Sequence, residues 1–448
     1  MALRSVRAVR GVRSVSTFQR GQHDPFNAIT QRLTPRAAQA GPMAGWNVSV
    51  KENIAMADVP LTCSSRMLLE YRSPFDATVV EALNAAGANI TARTNCDEFA
   101  MGALNAHSVH GPVANPAVYS NVSSPDLDSV APRAPGGSSG GAAASVAGGL
   151  CRVAIGTDTG GSVRLPGAFC GVYGFKPSYG MISRWGVVSY ADSLDTVGIL
   201  ANNVSDVRTT LHAVAAEDPR DETCIDAPLR ARLAEAYRAR RAMFGDAHAP
   251  LAGLRVGVPA EMYPEEVHPR VVGIADDVLD AMQSLGAEIV PVRVPAMEHA
   301  IGAYYVLGLA EASSNLSRYD GMRYGIAVPD EATFHATIAK ARSAGFGPEV
   351  QRRILLGTYA VTTEAWDSYY MAAVSLRCAL MDQLAEHWRE TDLRIGTAGH
   401  AQGVDVLVHP TALRGAPKLA EDAAFECAQD ALTTYANLAG VPVLMGTR

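Results

Sequence analysis

Two glycine-rich serine loops flank one short apolar strand between Pro135 and Gly174, and they limit what this chain can fold into more than any other feature. The first reads Pro-Gly-Gly-Ser-Ser-Gly-Gly (Pro135 to Gly141) and continues into the small-residue run Ala142 to Gly149. The second reads Gly-Thr-Asp-Thr-Gly-Gly-Ser-Val-Arg (Gly156 to Arg164), directly after the strand Cys151 to Ile155. Glycines let successive backbone N–H groups turn toward one point and form a nest for negative charge. A phosphate is one such charge, yet the chain has neither the GxxxxGK[ST] of a phosphate loop nor a GxGxxG after the strand. The other candidate is an oxyanion. The N–H groups of Thr159, Gly160, Gly161 and Ser162 can hold the oxygen of a tetrahedral intermediate beside the hydroxyl that creates it.

A serine nucleophile needs a base. GxSxG matches formally around Ser138 and Ser139, but a hydrolase elbow follows an apolar strand, and Ser129 to Pro135 is not one. The SxxK arrangement is also missing, so a lysine must come from elsewhere. Val50-Lys51-Glu52-Asn53 offers one at the end of the apolar strand Trp46 to Ile54. A lysine accepts a proton only when neutral, and burial beside donor groups lowers its pKa enough for that. With 48% apolar and 19% charged residues, the chain can build an interior in which such a lysine is buried.

Composition narrows the remaining classes. A net charge of −7 gives no electrostatic reason for this chain to grip nucleic acid by itself. Its seven cysteines are scattered without a CxxC, and no HExxH occurs, which points to a metal-free chain in a reducing compartment. No apolar run is long enough to predict a membrane span. Arg4, Arg7, Arg10, Arg13 and Arg20 occur with Ser5, Ser14 and Ser16 before any acidic residue, a pattern that resembles a mitochondrial transit peptide over residues 1–20.

From Val48 onward, strand-like and helix-like stretches alternate. Strands are expected at Ala88 to Ala92, Cys151 to Ile155, Leu254 to Val258, Glu288 to Val294 and Val404 to Val408. A helix is expected over Ala77 to Ala86, and Val271, Ala275, Val278, Leu279, Met282 and Leu285 recur at helical spacing. Asp218 to Pro250 reads as a polar, irregular surface excursion. The pattern predicts an α/β fold, a central mixed β-sheet covered by helices on both faces, in one domain over residues 21–448.

The three chemical motifs together resemble the amidase signature family: Lys51 in Val-Lys-Glu-Asn, Ser138 in Gly-Gly-Ser-Ser-Gly-Gly and Ser162 in Asp-Thr-Gly-Gly-Ser. The resemblance implies the amidase-signature fold. It also implies Ser162 as nucleophile, Ser138 as a proton relay behind a non-proline cis peptide, Lys51 as base, and Thr159 to Ser162 as oxyanion donors. Ser138 and Ser162 stand 24 positions apart, as in that family. Asp158 and Arg164 are expected to support the loop, Ser139 to support it by hydrogen bonding, and Lys176 to have no part in catalysis.

Three later segments resemble the A-subunit branch, which serves glutamyl-tRNA(Gln) amidotransferases. They are Ala303-Tyr-Tyr with Glu311 to Gly321, Gly345 to Ile354, and Tyr435-Ala-Asn-Leu-Ala-Gly-Val-Pro. This second resemblance implies glutamine as substrate. Arg353 would hold its α-carboxylate and Asp430 its α-ammonium, with Tyr304 lining the pocket; the neighbour Arg352 serves as the control for reading Arg353 as a surface helix charge. Glutamine would be hydrolysed at Ser162, and the ammonia would pass to a tRNA-binding B-type kinase subunit that activates Glu-tRNA(Gln). ATP and magnesium would sit in that partner, with none in this chain, and a small accessory subunit would complete a hetero-oligomer in the mitochondrial matrix. The segment before the lysine strand and the end at Gly446-Thr-Arg are both shorter than the family pattern, so edges covered by a partner or a truncated sequence are expected. Two rival readings are a stand-alone amidase for small or fatty amides and an inactive scaffold subunit. The first predicts a pocket without the Arg353 and Asp430 pair; the second predicts a broken Ser-Ser-Lys set.

Overall fold

A computed structural model describes residues 24–34, 40–119, 131–244, 249–329, 331–393, 396–419 and 427–446. The basic stretch read as a transit peptide lies outside them. The central sheet has seven strands: β1 (Ile29–Arg32), β2 (Asn47–Lys51), β3 (Asn89–Thr94), β4 (Val153–Asp158), β5 (Tyr173–Lys176), β6 (Thr196–Ala201) and β10 (Val443–Met445). Their order is β1-β3-β2-β4-β6-β5-β10. Strand β2 runs parallel to both neighbours, while β4 and β6 pair antiparallel, so the sheet is mixed as expected.

Alternating side chains divide the two faces. Val153 and Ile155 of β4 and Val197 and Ile199 of β6 join Val48 and Val50 in one core. That core is closed by α1 (Thr78–Ala85) through Val79, Val80 and Leu83, and by α4 (Val204–Val214) through Val207 and Val214. Ala154 and Leu200 point the other way. They pack with Ala142, Ala143 and Val146 of α2 (Gly140–Ala147) and Cys170 of α3 (Arg164–Cys170). The small residues of α2 allow it to approach closely, since a Cβ on Gly141 would fall 2.7 Å from the Ala28 carbonyl oxygen. Helices therefore cover both faces.

The three expected strands of the second half form as β7 (Arg255–Pro259), β8 (Glu288–Val292) and β9 (Val406–Leu407). They build a separate parallel sheet, ordered β8-β7-β9, and do not extend the central one, whose ends are taken by β1 and β10. The expected helix between the first two is α6 (Pro269–Ser284), which makes the crossover that parallel pairing requires. The excursion from Asp218 is on the surface but not irregular: it contains α5 (Ala227–Arg241), which buries no residue. Asp226 caps that helix by accepting from the Leu229 amide, and strong helix formers follow, so local propensity forms it without an apolar stripe.

Helices α7 (Ala300–Asn315), α8 (Phe334–Gly345), α9 (Pro348–Ala360) and α10 (Ala372–Ala385) fill the second half. Apolar around most of its girth, α7 is buried between α9 and α10 and shares the largest core. Among the described residues, no helix is long and apolar enough to cross a membrane.

Candidate active site

Lys51 ends β2 and lies between β3 and β4, opposite Thr94 in the register. Its side chain is fully buried, and its Nζ lies 2.8 Å from Ser138 Oγ, 2.9 Å from Ser139 Oγ and 2.9 Å from Thr157 Oγ1. Burial is the leading effect on this amine and holds it below its usual range, against the opposing pull of Cys96, Asp97, Asp158 and Asp195. A neutral amine has one lone pair and can take a proton from a hydroxyl. The two serines differ in what they can give. Ser139 Oγ donates to the Thr157 carbonyl at 3.0 Å and accepts from the Thr157 amide at 3.3 Å, so its proton is already committed. Ser138 is the hydroxyl left to face the lysine. The peptide bond before it, Gly137–Ser138, is cis.

Ser162 lies in the second loop and is 8% exposed. The Ser139 amide donates to the Ser162 carbonyl at 3.0 Å, which ties the two serine loops together. Asp158, at the end of β4, organises the turn between. Its carboxylate accepts from the amides of Gly161 at 3.0 Å and Val163 at 3.1 Å, and it meets the Arg164 guanidinium through two bonds of 2.9 and 3.0 Å. Burial alone would raise this carboxyl; Arg164, Lys176 and Asn437 outweigh it and hold it far below the usual carboxylate range. Arg164 donates onward to the Thr433 carbonyl at 2.8 Å and to Asn437 Oδ1 at 2.6 Å. Asp158 and Arg164 are thus loop supports. One expected oxyanion donor changes: the Gly161 amide already serves Asp158, leaving Thr159, Gly160 and Ser162 with N–H groups that have no such partner among the described residues. Lys176 is buried, and it donates to the Pro177 carbonyl at 2.8 Å.

The three residues expected to hold glutamine come together beside this loop. Arg353 lies in the second turn of α9, is 4% exposed, and donates to Glu349 Oε1 at 2.7 Å and to the Tyr190 hydroxyl at 3.1 Å. Its neighbour Arg352 points outward, with 48% of its side chain exposed. Tyr304 is buried, hydrogen-bonds to Tyr190, and stands over the oxyanion loop: a Cβ on Gly160 would come within 2.6 Å of the Tyr304 hydroxyl. Only glycine fits there. The ring of Tyr305 lies 5.1 Å from that of Tyr304, under the Arg353 guanidinium at 5.7 Å, and its hydroxyl donates to Asp430 Oδ2 at 2.9 Å. Thr433 fastens this side to the loop, donating to the Gly160 carbonyl at 2.5 Å and to the Asp430 carbonyl at 3.1 Å. Burial raises both tyrosine hydroxyls well above their usual range, so they stay protonated donors. The site therefore pairs a cation and an anion across two tyrosines, next to free amides and a lysine-linked serine. That arrangement can bind a zwitterion and polarise an amide.

Several participants had no prior signal. Tyr190 orients Arg353 and Tyr304, and nothing near it in the chain marks it. Asp195 accepts from Thr159 Oγ1 at 2.7 Å and from the Tyr190 and Ala191 amides at 2.9 and 3.1 Å, joining the oxyanion loop to Tyr190. Thr157 and Thr433 were equally silent. Tyr305 could have been found, since it is the second tyrosine of Ala303-Tyr-Tyr.

Residues 22–447 match the family described as Amidase. The A subunit of the mitochondrial glutamyl-tRNA(Gln) amidotransferase of Mycosarcoma maydis is 45% identical over 447 residues, covering 96% of this chain and 83% of that protein. Its Deinococcus radiodurans counterpart is 41% identical over 448 residues, covering 99% of this chain and 84% of its own length. The crystal structure of the Thermotoga maritima counterpart superposes with a TM-score of 0.71 at 31% identity, covering 94% of this chain and 80% of that one.

Proposed function

The chain belongs to the amidase family, and from that premise we propose that it is the A subunit of a glutamyl-tRNA(Gln) amidotransferase. In this reading it is the glutaminase that supplies ammonia for converting Glu-tRNA(Gln) to Gln-tRNA(Gln). Ser162 attacks the side-chain amide of glutamine while its proton passes through Ser138 to the neutral amine of Lys51. The amides of Thr159, Gly160 and Ser162 hold the oxyanion. The proton returns by the same relay to the departing ammonia, and water releases glutamate from the acyl-enzyme. Arg353 takes the α-carboxylate of the substrate and Asp430 its α-ammonium, with Tyr304 closing the pocket over Gly160.

Ammonia released to water becomes ammonium and loses its nucleophilicity, so the product is consumed inside a complex. A tRNA-binding kinase subunit using ATP and magnesium, with a small accessory subunit, completes it. The basic, serine-containing N-terminus and the mitochondrial relative of Mycosarcoma maydis support a place in the mitochondrial matrix.

The observation that carries this reading is the 2.8 Å separation of Lys51 Nζ from Ser138 Oγ at a site that also gathers Arg353 and Asp430. The test is glutamine hydrolysis by the assembled complex, with Ser162→Ala as control. Turnover in the parent and none in the variant is expected. A parent complex that releases no glutamate refutes the proposal.

A further inference from the structure

We propose that Glu98 is a positioning residue for glutamine, clamping α9 and hence Arg353 at a fixed distance from the serine and lysine centre. The inference rests on the glutamine reading above and adds a residue to it.

Helix α9 has no capping side chain of its own, because its N-cap is Gly347. Glu98, the first residue of a short 3-10 helix (Glu98–Ala100) 249 positions earlier, supplies the missing group: its two carboxylate oxygens accept from the Gly347 amide at 3.1 and 2.9 Å. A carboxylate there satisfies an orphan N–H and complements the positive end of the helix dipole. The approach is close enough that any side chain at 347 would strike the Glu98 carboxylate. Ser65 donates its hydroxyl to the same carboxylate. Arg353 stands six residues beyond Gly347, about 9 Å along a rigid helix, so a displaced cap displaces the guanidinium.

The residue before Glu98 reaches the catalytic side. The Asp97 amide donates to the Ser138 carbonyl at 3.2 Å, and the Asp97 carboxylate accepts from the amides of Asn105 and His107 at 2.9 and 3.0 Å. The residue after it, Phe99, packs its ring 5.6 Å from Phe346 and 4.9 Å from Tyr319. Three consecutive residues therefore join the backbone of the serine that meets Lys51 to the start of the helix that carries Arg353. In the catalytic account above, this junction has no other task.

The clamp also senses pH. Burial pushes the Glu98 carboxyl up to about 7, against the pull of Ser65, the Gly347 amide, His107 and Arg66. On α9 the charged groups are Glu349, Arg352 and Arg353, with Glu349 bonded to both arginines, and Arg342 of α8 lies over the Phe346 ring. Protonation removes half of the acceptor pair and the charge that faces the helix dipole, so the grip on Gly347 weakens as pH falls through about 7.

The experiment uses the assembled complex and measures glutamine saturation curves between about pH 6 and 8. In Glu98→Ala at pH 8, KM rises about tenfold while kcat stays within about twofold, the pattern of a displaced binding group. In Glu98→Gln, which keeps the shape and one acceptor, KM stays flat across that range, whereas the parent KM rises as the pH falls. A parent-like KM in Glu98→Ala, or a Glu98→Gln curve that follows the parent's pH dependence, overturns the role of Glu98 alone. A parent complex that does not hydrolyse glutamine overturns the underlying reading and this inference with it.

Discussion

Replacing Arg353 by alanine should have two separable consequences, because the same guanidinium faces a buried carboxylate and the proposed substrate carboxylate. Arg353 is 4% exposed and Glu349 is 6% exposed, and their bond is 2.7 Å long. Breaking a buried ion pair by removing one partner costs about 3–5 kcal/mol, mainly because the remaining charge is stranded. Arg352 still bonds Glu349 from the surface, which places the expected loss of stability near the lower end, about 3 kcal/mol. Removing Glu349 as well takes away the stranded charge, so Glu349→Ala with Arg353→Ala should recover most of the lost melting temperature. Binding should not recover. A bidentate grip on a carboxylate contributes about 1.5–3 kcal/mol per bond, so losing it raises the KM for glutamine by roughly 100-fold or more in both variants. Thermal unfolding and glutamine saturation of parent, single and double variants resolve the two effects. A double variant no more stable than Arg353→Ala would refute the stranded-charge argument, and a parent-like KM would refute the pocket.

Two further outcomes follow from the same site. Lys51→Arg keeps a basic side chain of similar reach, but its guanidinium cannot lose its proton at accessible pH, so kcat should fall by about 1,000-fold. In the parent, burial lowers the lysine pKa, so activity should climb with pH through that lowered value and vanish below it; activity that persists unchanged into acid would contradict a lysine base. Asp195→Asn should loosen the oxyanion loop and reduce kcat by roughly 10- to 100-fold. The Asp195 charge also supports the charged form of Lys51, so its loss should move the acid limb of the pH–rate profile to lower pH, and an unmoved limb would refute the coupling.

Much of this was legible in short windows of the chain. The glycine-rich serine loops, the lysine at a strand end and the alternation of strands with helices are local patterns, and steric and burial rules act on them wherever they occur. The α/β class and the two covered faces follow from such patterns. The helix at Ala227–Arg241 was missed because it lacks an apolar stripe, although its cap and composition are equally local. The separate pairing of β7, β8 and β9 was not readable, since periodicity identifies strands but not their neighbours.

The site divides in the same way. The sequence alone marked Lys51 and the oxyanion loop, and its likeness to a known family marked Ser138, Ser162, Arg353, Asp430 and Tyr304. Only the tertiary structure showed why Ser139 is committed to Thr157 while Ser138 faces the lysine, engaged the Gly161 amide with Asp158, and brought in Tyr190 and Asp195. The physical reason is that a hydrogen bond depends on which donor meets which acceptor in space. The bond from Thr433 to Gly160 spans 273 positions, and no local rule relates its two ends.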